Sequence, residues 1–200
     1  MPQFKKALAV LSILALTAAG SANAGLVGVK DIKVSKAAGS GNIIQVSELQ
    51  AFQTGTGNNV ALTSAGGVAT AQSTWNNDSS PSKAIDGQFS DLSFPNMFHN
   101  MDVGGEFLNI SLSAAAELSN VTIYGRSGCC SERDMYDVSF FGVNGNLLYT
   151  EFNANAYNSA HMVNFALPNT AVPEPASLAM LGLGLLGLAA TRRKQPGKSV

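Results

Sequence analysis

The sequence predicts an all-β fold, a single jelly-roll β-sandwich, for the central part of this 200-residue chain. Three observations support this prediction. Short stretches in which apolar and polar residues alternate recur along the chain, and Gly, Asn, Ser and Asp residues separate them. No central segment keeps a capped helical period. Short strands at this spacing are typical of an antiparallel sandwich or jelly roll.

About seven stretches have the composition of strands. Two of them are joined by Asn144-Gly145, a dipeptide that strongly favours a β-hairpin. The segment at residues 70–100 is polar and shows no alternation, and a loop of that length in a compact domain is often functional. The predicted strands are residues 27–34, 43–52, 108–112, 121–124, 138–143, 147–149 and 162–167.

Residues 1–24 have the organisation of a secretory signal peptide. Lys5 and Lys6 precede an apolar stretch over residues 7–19, and Ala22-Asn23-Ala24 supplies a small-x-small cleavage site. A buried N-terminal helix is the alternative interpretation. We expect this segment to be removed on export, leaving one domain over residues 25–170.

The C-terminal residues 171–200 have the composition of a sorting tail. The apolar segment 176–190 is short for a membrane span, which usually needs about 20 residues. The basic residues 192–194 follow it and would hold that end in the cytoplasm. The motif that precedes the apolar segment is Val172, Pro173, Glu174 and Pro175.

Together these parts resemble the PEP-CTERM sorting signal. The resemblance implies a Gram-negative bacterium with an exosortase that processes the protein near its Pro-Glu-Pro motif. It also implies transient anchoring in the inner membrane, and then the cell surface or extracellular matrix as the destination. An ordinary tail anchor is the alternative interpretation.

The central domain is acidic. Residues 25–170 hold six basic and twelve acidic side chains, a net charge near −6. Nucleic acid is therefore not an expected partner, because neutralising phosphates requires a basic surface. The sequence contains no Ser/His/Asp elbow, no HExxH and no phosphate-binding glycine loop, so we expect a protein that is not an enzyme.

The two cysteines of the chain, Cys129 and Cys130, are adjacent. An exported protein meets an oxidising compartment, which favours a disulfide. A vicinal ring between these neighbours, intermolecular links and free thiols all remain open. Adjacent cysteines lack the C-x-x-C spacing of exchange enzymes, so a redox function is not expected.

Residues 121–133, VTIYGRSGCCSER, resemble the fucolectin-like branch of the discoidin (coagulation factor type C) family of galactose-binding-like domains. Residues 59–62 and 69–75 are similar to the family's "NVALGKPATQSS", and residues 84–87 are similar to its "AIDG" turn. Residues 44–52 are similar to its "LSLAEVQVF" strand. The last of these closes the domain in fucolectins, so residues 29–52 would here be a circularly permuted final hairpin. The resemblance covers residues 27–168 and implies an eight-stranded jelly roll with binding loops at one end.

The resemblance implies a sugar site made of a loop histidine, two arginines and a vicinal disulfide. Guanidinium groups offer forked donors that suit vicinal hydroxyls or carboxylates, and a disulfide ring offers an apolar plate for a sugar face. Gly128 stands where the family has an aspartate. The candidate carbohydrate-binding residues are His99, Arg126, Cys129, Cys130 and Arg133.

The resemblance also implies a structural calcium site. Calcium takes six or more oxygen ligands, many of them backbone carbonyls. The carboxylates would come from Glu48 and Asp86. The remaining oxygens would come from the main chain of Ser47, Lys83 and Gln88, with Asn96 completing the set. In the alternative interpretation, Asp86 only forms an Asx-turn before Gly87.

These features predict an exported, non-enzymatic, calcium-dependent carbohydrate-binding protein whose partner is a glycan or exopolysaccharide. The alternative is a structural matrix or adhesion protein with no working sugar site. In that case Arg133 forms a surface ion pair with Glu132 or Asp134, and the cysteines only brace a turn. The two hypotheses differ in one respect, because a lectin needs His99, Arg126 and Arg133 to converge.

Overall fold

The computed structural model describes residues 25–170 together with Leu185. The predicted signal peptide and nearly all of the sorting tail lie outside the described residues. The chain divides into two units, Met1–Thr170 and Ala171–Val200. The described part of the chain contains no helix with the length and apolar character that a membrane crossing requires.

The described domain contains strands and short 3₁₀ turns. The 3₁₀ turns span Thr63–Ala65, Pro81–Ile85 and Ser131–Arg133. The strands are β1 (Leu26–Lys36), β2 (Gln45–Val46), β3 (Glu48–Gln53), β4 (Val68–Ala71), β5 (Phe98–His99), β6 (Phe107–Tyr124), β7 (Met135–Gly142), β8 (Leu147–Asn155) and β9 (Met162–Ala166).

Every pairing between these strands is antiparallel. Five strands follow the order β3-β6-β1-β7-β8, β4 and β9 also pair with β6, and β2 and β5 form a separate small sheet. The predicted all-β class is confirmed, and the large antiparallel sheet is consistent with a β-sandwich. The jelly-roll connectivity stays a prediction.

Strand β6 organises the sheet because its 18 residues pair along both edges. Its first half pairs with β1 and β4, and its second half pairs with β3 and β9. The sequence predicted two separate strands here, at residues 108–112 and 121–124. The structure joins them because residues 113–120 continue the extended backbone, with Ala116 and Leu118 paired to β1.

The hairpin expected over residues 29–52 does not form, and that prediction was wrong. Strands β1 and β3 lie on opposite sides of β6 and do not pair with each other. The long β6 strand satisfies one edge of each, while the other edge of β1 pairs with β7. The connection between them instead contributes β2, which pairs with β5.

The core is formed mainly by the inward faces of β1, β6 and β7, and β2, β3, β5 and the Pro81–Ile85 turn add further buried residues. In β1 the predicted alternation is shifted by a bulge at Gly28, whose φ of 80° favours glycine. The β7–β8 hairpin predicted from Asn144-Gly145 is confirmed, and the Gly145 N–H donates to the Gly142 carbonyl at 2.9 Å. The largest buried side chains include Tyr136, Phe98, Phe140, Ile32, Leu108 and Ile110.

The pairing of β2 with β5 brings three loops to one end of the domain. Gln45 lies opposite His99 in this small sheet. The Gln45 side-chain amide then donates to the Cys130 carbonyl at 2.7 Å and to the Asp134 carboxylate at 2.8 Å. The loops before β2, after β5 and after β6 are therefore held against one another.

Candidate functional site

The loops at this end enclose a cavity of about 340 Å³, which we call the arginine pocket. Its size falls within the range of about 300–1,000 Å³ that small-molecule sites occupy. The structure brings three of the five predicted sugar-binding residues into this one pocket. Its lining residues are Ile43, Trp75, Phe94, His99, Asp102, Arg126 and Arg133.

Arg126 enters the pocket from the end of β6. Its backbone N–H donates to the Asp134 carboxylate at 2.6 Å, and its guanidinium carbon lies 5.7 Å from the Phe94 ring centroid. The side-chain Nε is buried and has no hydrogen-bond partner among the described residues. Buried polar groups normally find a partner, so this donor is available to a ligand oxygen.

Asp134 fixes the turn that separates the two arginines. It is fully buried, and it accepts hydrogen bonds from Gln45 and from the Tyr136 hydroxyl at 3.1 Å. Burial raises the pKa of this carboxyl, and these hydrogen bonds oppose the rise. A Cβ atom on Gly125 would lie 2.3 Å from the Asp134 carboxylate, so only glycine fits beside it.

Arg133 ends the 3₁₀ turn Ser131–Arg133 and is about one-third exposed. Its Nε lies 3.7 Å from the Glu132 carboxylate. Exposed ion pairs of this kind contribute little free energy, about 0–1 kcal/mol, so a ligand could compete for the guanidinium. The alternative hypothesis of a structural matrix protein also predicts this ion pair between Arg133 and Glu132.

His99 is nearly buried, with 5% of its surface exposed. Its Nδ1 lies 2.7 Å from the Asn100 carbonyl. Because a carbonyl only accepts, Nδ1 carries the proton and Nε2 is the acceptor of the neutral ring. Burial lowers the pKa of His99, and the charges of Arg126 and Arg133 lower it further. The imidazole is therefore neutral at pH 7.

Aromatic side chains that the sequence analysis did not assign to the site form part of the wall. The Trp75 ring is 56% exposed and lies 5.6 Å from the His99 ring, and the Phe94 ring lies 6.3 Å from it. Ile43 and Asp102 were also missed. The available signal was the single tryptophan of the chain, placed within a polar segment that has no strand pattern.

The two cysteines are not among the residues that line the arginine pocket. They lie in the turn between the two arginines, where the structure holds both as thiols with their sulfurs 2.7 Å apart. Gly128 has a φ of 89°, a conformation that disfavours the family's aspartate. The disulfide between Cys129 and Cys130 stays a prediction.

A second cavity of about 190 Å³ coincides with part of the predicted calcium site. Four of the six predicted ligands line it, and Ser90 and Asp91 are additions that the sequence analysis missed. Lys83 directs its ammonium to the Pro95 carbonyl at 2.7 Å. The lining residues are Lys83, Asp86, Gln88, Ser90, Asp91 and Asn96.

Glu48 does not line this cavity but contacts its rim. Its side chain is fully buried, and one carboxylate oxygen accepts the Gly87 N–H at 3.1 Å. The other oxygen has no partner among the described residues. Burial raises the pKa of Glu48 to about 8, and the neighbouring Asp86 contributes in the same direction. A buried carboxylate oxygen without a hydrogen-bond partner is suited to bind a cation.

The other predicted ligands fit the calcium interpretation less closely. Ser47 donates its hydroxyl to the Gly125 carbonyl at 2.8 Å, which ties the site to the end of β6. Asn96 donates its amide to Asp91 at 2.9 Å. Within residues 25–170, no three His, Cys, Asp or Glu side chains lie close enough to hold a metal. Backbone carbonyls would have to supply most of the ligands.

The comparison with protein families concerns the C-terminal tail. Residues 171–194 match the PEP-CTERM protein-sorting motif. No curated protein and no solved structure matches the chain. The match leaves the central domain unassigned, but it agrees with the motif that the sequence analysis identified. The chain therefore carries a PEP-CTERM sorting motif, which indicates an exported protein that an exosortase sorts.

Proposed function

We propose that the domain is a lectin, which binds a carbohydrate without converting it, at the surface or in the extracellular matrix of a Gram-negative bacterium. The observation that carries this proposal is the convergence of His99, Arg126 and Arg133 on the arginine pocket. The discoidin-like motifs of the sequence support the same function. The sorting motif supports delivery to a place where glycans are the abundant polymers.

The chemistry of the pocket suits a sugar. Two guanidinium groups supply donors for ring hydroxyls, and the neutral imidazole of His99 supplies an acceptor. The exposed face of Trp75 offers an apolar surface against which the C–H face of a pyranose can pack. A few placed polar groups beside apolar surface is the usual composition of a small-ligand site.

Calcium is the metal proposed for the second cavity. Glu48 and Asp86 would hold it with carboxylates, assisted by backbone carbonyls of Ser47, Lys83 and Gln88 and by Asn96. Bound calcium would supply positive charge to the buried Glu48 and fix the segment that leads to the pocket. This segment contains the 3₁₀ turn Pro81–Ile85 and ends at His99.

The proposal is tested by comparing Arg133→Ala, Arg133→Lys and Arg126→Ala with the unmodified exported protein on a glycan array, followed by calorimetry. We expect each alanine variant to lose about tenfold to hundredfold in affinity, because hydrogen bonds from a charged donor are worth about 1.5–3 kcal/mol. Arg133→Lys keeps the positive charge but loses the forked donors of the guanidinium group, so it should recover little of the affinity that Arg133→Ala loses.

The matched control is Lys30→Ala, because the Lys30 ammonium donates to the Leu112 carbonyl, away from the pocket. If the arginine variants fold and bind every glycan as the unmodified protein does, the sugar site is excluded.

A structural matrix protein is the second candidate function, and the Arg133–Glu132 pair favours it. In that case Glu132→Gln and Arg133→Ala would both lower thermal stability slightly, and no glycan would bind with or without calcium.

A further inference from the structure

The arginine pocket is one part of a longer groove. A cavity of about 170 Å³ shares Ile43, Asp102 and Arg133 with it, and we call this the connecting cavity. The connecting cavity in turn shares Gly41 and Asn42 with a third cavity of about 440 Å³. Because neighbouring cavities share lining residues, the three lie side by side, and we interpret them as one groove.

The third cavity, which we call the lysine cavity, lies where β1 ends and β6 begins. Lys33 and Lys36 line it, together with Glu106 and Phe107. The Lys33 ammonium lies 4.0 Å from the centroid of the Phe107 ring. The Lys36 ammonium donates to the Arg133 carbonyl, so this residue also links the lysine cavity to the turn that carries the second arginine.

The groove has a preformed floor. Asn100 is almost fully buried, and its side chain accepts from the Ile44 N–H at 2.6 Å and donates to Glu106 at 2.8 Å and to the Asn42 carbonyl at 3.2 Å. Asn42 donates to the Asp102 carboxylate at 3.1 Å. These bonds join the loop before β2 to the loop after β5, so the groove needs little ordering when it binds a ligand.

Positive charge is concentrated along this groove. Of the six basic side chains in residues 25–170, four line it, and only two acidic ones, Asp102 and Glu106, accompany them. The whole domain has a charge near −6, so the groove is a positive strip on an acidic body. Burial lowers the pKa of Lys36 to about 8, so the residue remains charged at pH 7.

We propose that the groove binds an acidic polysaccharide, with one sugar in the arginine pocket and a carboxylate-bearing sugar farther along the chain at Lys33 and Lys36. This inference rests on the proposed lectin function and names its ligand class. A free monosaccharide would use only one end of the groove, and a neutral chain would bring no anionic group to the two lysines. A carboxylate-bearing polysaccharide contacts the arginine pocket, the connecting cavity and the lysine cavity together.

The test is calorimetric binding of galacturonic acid oligomers of one to six residues to the exported protein, beside neutral galactose oligomers of equal lengths. We expect affinity to rise with length for the acidic series only, and to fall as salt screens the lysines. Lys33→Gln should weaken the acidic hexamer by about two- to fivefold, as expected for an exposed ion pair, and leave the monosaccharide unaffected.

Lys33→Arg should restore the affinity, and Lys30→Gln, on the same strand but outside the groove, should have no effect. If Arg133→Ala weakens monosaccharide binding, but the affinity does not depend on oligomer length, on acidity or on Lys33, the groove proposal is overturned. The proposed lectin function is then retained. If Lys33→Gln weakens the binding of acidic oligomers but Arg133→Ala does not, the arginine pocket is not a sugar site. The lysine cavity alone then binds the acidic chain, and both the lectin proposal and the proposal of a shared groove are overturned. Absence of all binding overturns both.

Discussion

His99 is the residue of the pocket whose charge changes closest to physiological pH. Its Nδ1 proton is engaged by the Asn100 carbonyl, so ligand recognition depends on the unprotonated Nε2. Protonation would remove that acceptor and add a third positive charge beside Arg126 and Arg133. The same burial that shapes the pocket therefore also keeps the ring neutral.

We predict that sugar affinity is constant from pH 7 to 8 and falls only at a pH below 6.5, because the folded pKa of His99 lies below its ordinary value of 6.5. The neutral His99 ring also contributes to the free energy of unfolding, and this contribution changes with pH in the same direction as the affinity. It is complete above pH 6.5 and is lost as the pH falls through the folded pKa. Calorimetric titrations between pH 5 and 8 measure the affinity.

The chain offers a matched control, because His161 is its only other histidine. His161→Gln should keep the pH dependence, and His99→Gln should remove it. A dependence that persists in His99→Gln would show that another group controls recognition.

At the scale of elements, β3 is joined to the 3₁₀ turn Pro81–Ile85 by one buried carboxylate. Glu48 opens β3, and its bond to the Gly87 N–H holds the turn's end. Burial favours the protonated form of Glu48, so in the absence of a cation the residue resists ionisation. A bound cation would reverse that preference.

We predict that, in chelator, the free energy of unfolding decreases as pH rises from about 5 to 8. The folded pKa of Glu48, about 8, lies above the unfolded value of 4.5, so its contribution is complete below 4.5 and is lost as pH rises through 8. Calcium should abolish this decrease and raise Tm most at pH 8. Differential scanning calorimetry measures both effects.

Glu48→Gln should remove the pH dependence and the response to calcium together. Asp78→Asn removes a carboxylate from an exposed position and should change neither. A Tm that calcium leaves unchanged at every pH would exclude the calcium site.

The strands show how far a local pattern predicts elements. Alternation located β1, β7, β8 and β9, and Asn144-Gly145 located the β7–β8 hairpin. It did not show that residues 113–117 continue β6, because one Ser, three Ala and one Glu lack the apolar–polar alternation. It also missed the two-residue strand β5, whose extended backbone is imposed by pairing with β2.

At the scale of the whole molecule, the two ends of the domain lie together. The Val27 N–H donates to the Thr170 hydroxyl at 3.1 Å, and the Thr170 N–H donates to the Gly25 carbonyl at 3.3 Å. The Gly25 nitrogen itself donates to the Glu117 carboxylate at 2.7 Å. Cleavage after Ala24 would turn that nitrogen into a charged ammonium facing Glu117.

We predict that signal-peptide removal stabilises the domain through this new ion pair. Glu117→Gln should lower the Tm of the processed protein by about 1–4 °C, the effect of a partly exposed pair in a domain of this size. The difference should fade above about pH 8, where the terminal amine loses its proton.

A matched protein that begins with Met-Ala before Gly25 has no charged amine at this position and serves as the control. Equal losses of Tm in the two proteins would show that cleavage adds no ion pair.

The sequence by itself determined the all-β class, most of the strands, the sorting motif and three of the four polar residues of the arginine pocket. Strand alternation, hairpin dipeptides and sorting signals are local patterns, so one stretch of chain is sufficient to recognise each. The arginines and the histidine were identified through a motif resemblance, which also depends on short stretches.

Only the tertiary structure decided which distant residues meet. It placed β1 and β3 on opposite sides of β6, brought Trp75 and Phe94 to His99, set Glu48 against Gly87 and placed three cavities side by side. These contacts follow from long-range strand pairing and loop packing, whose partners are chosen by the burial of the whole core. No local period carries that information.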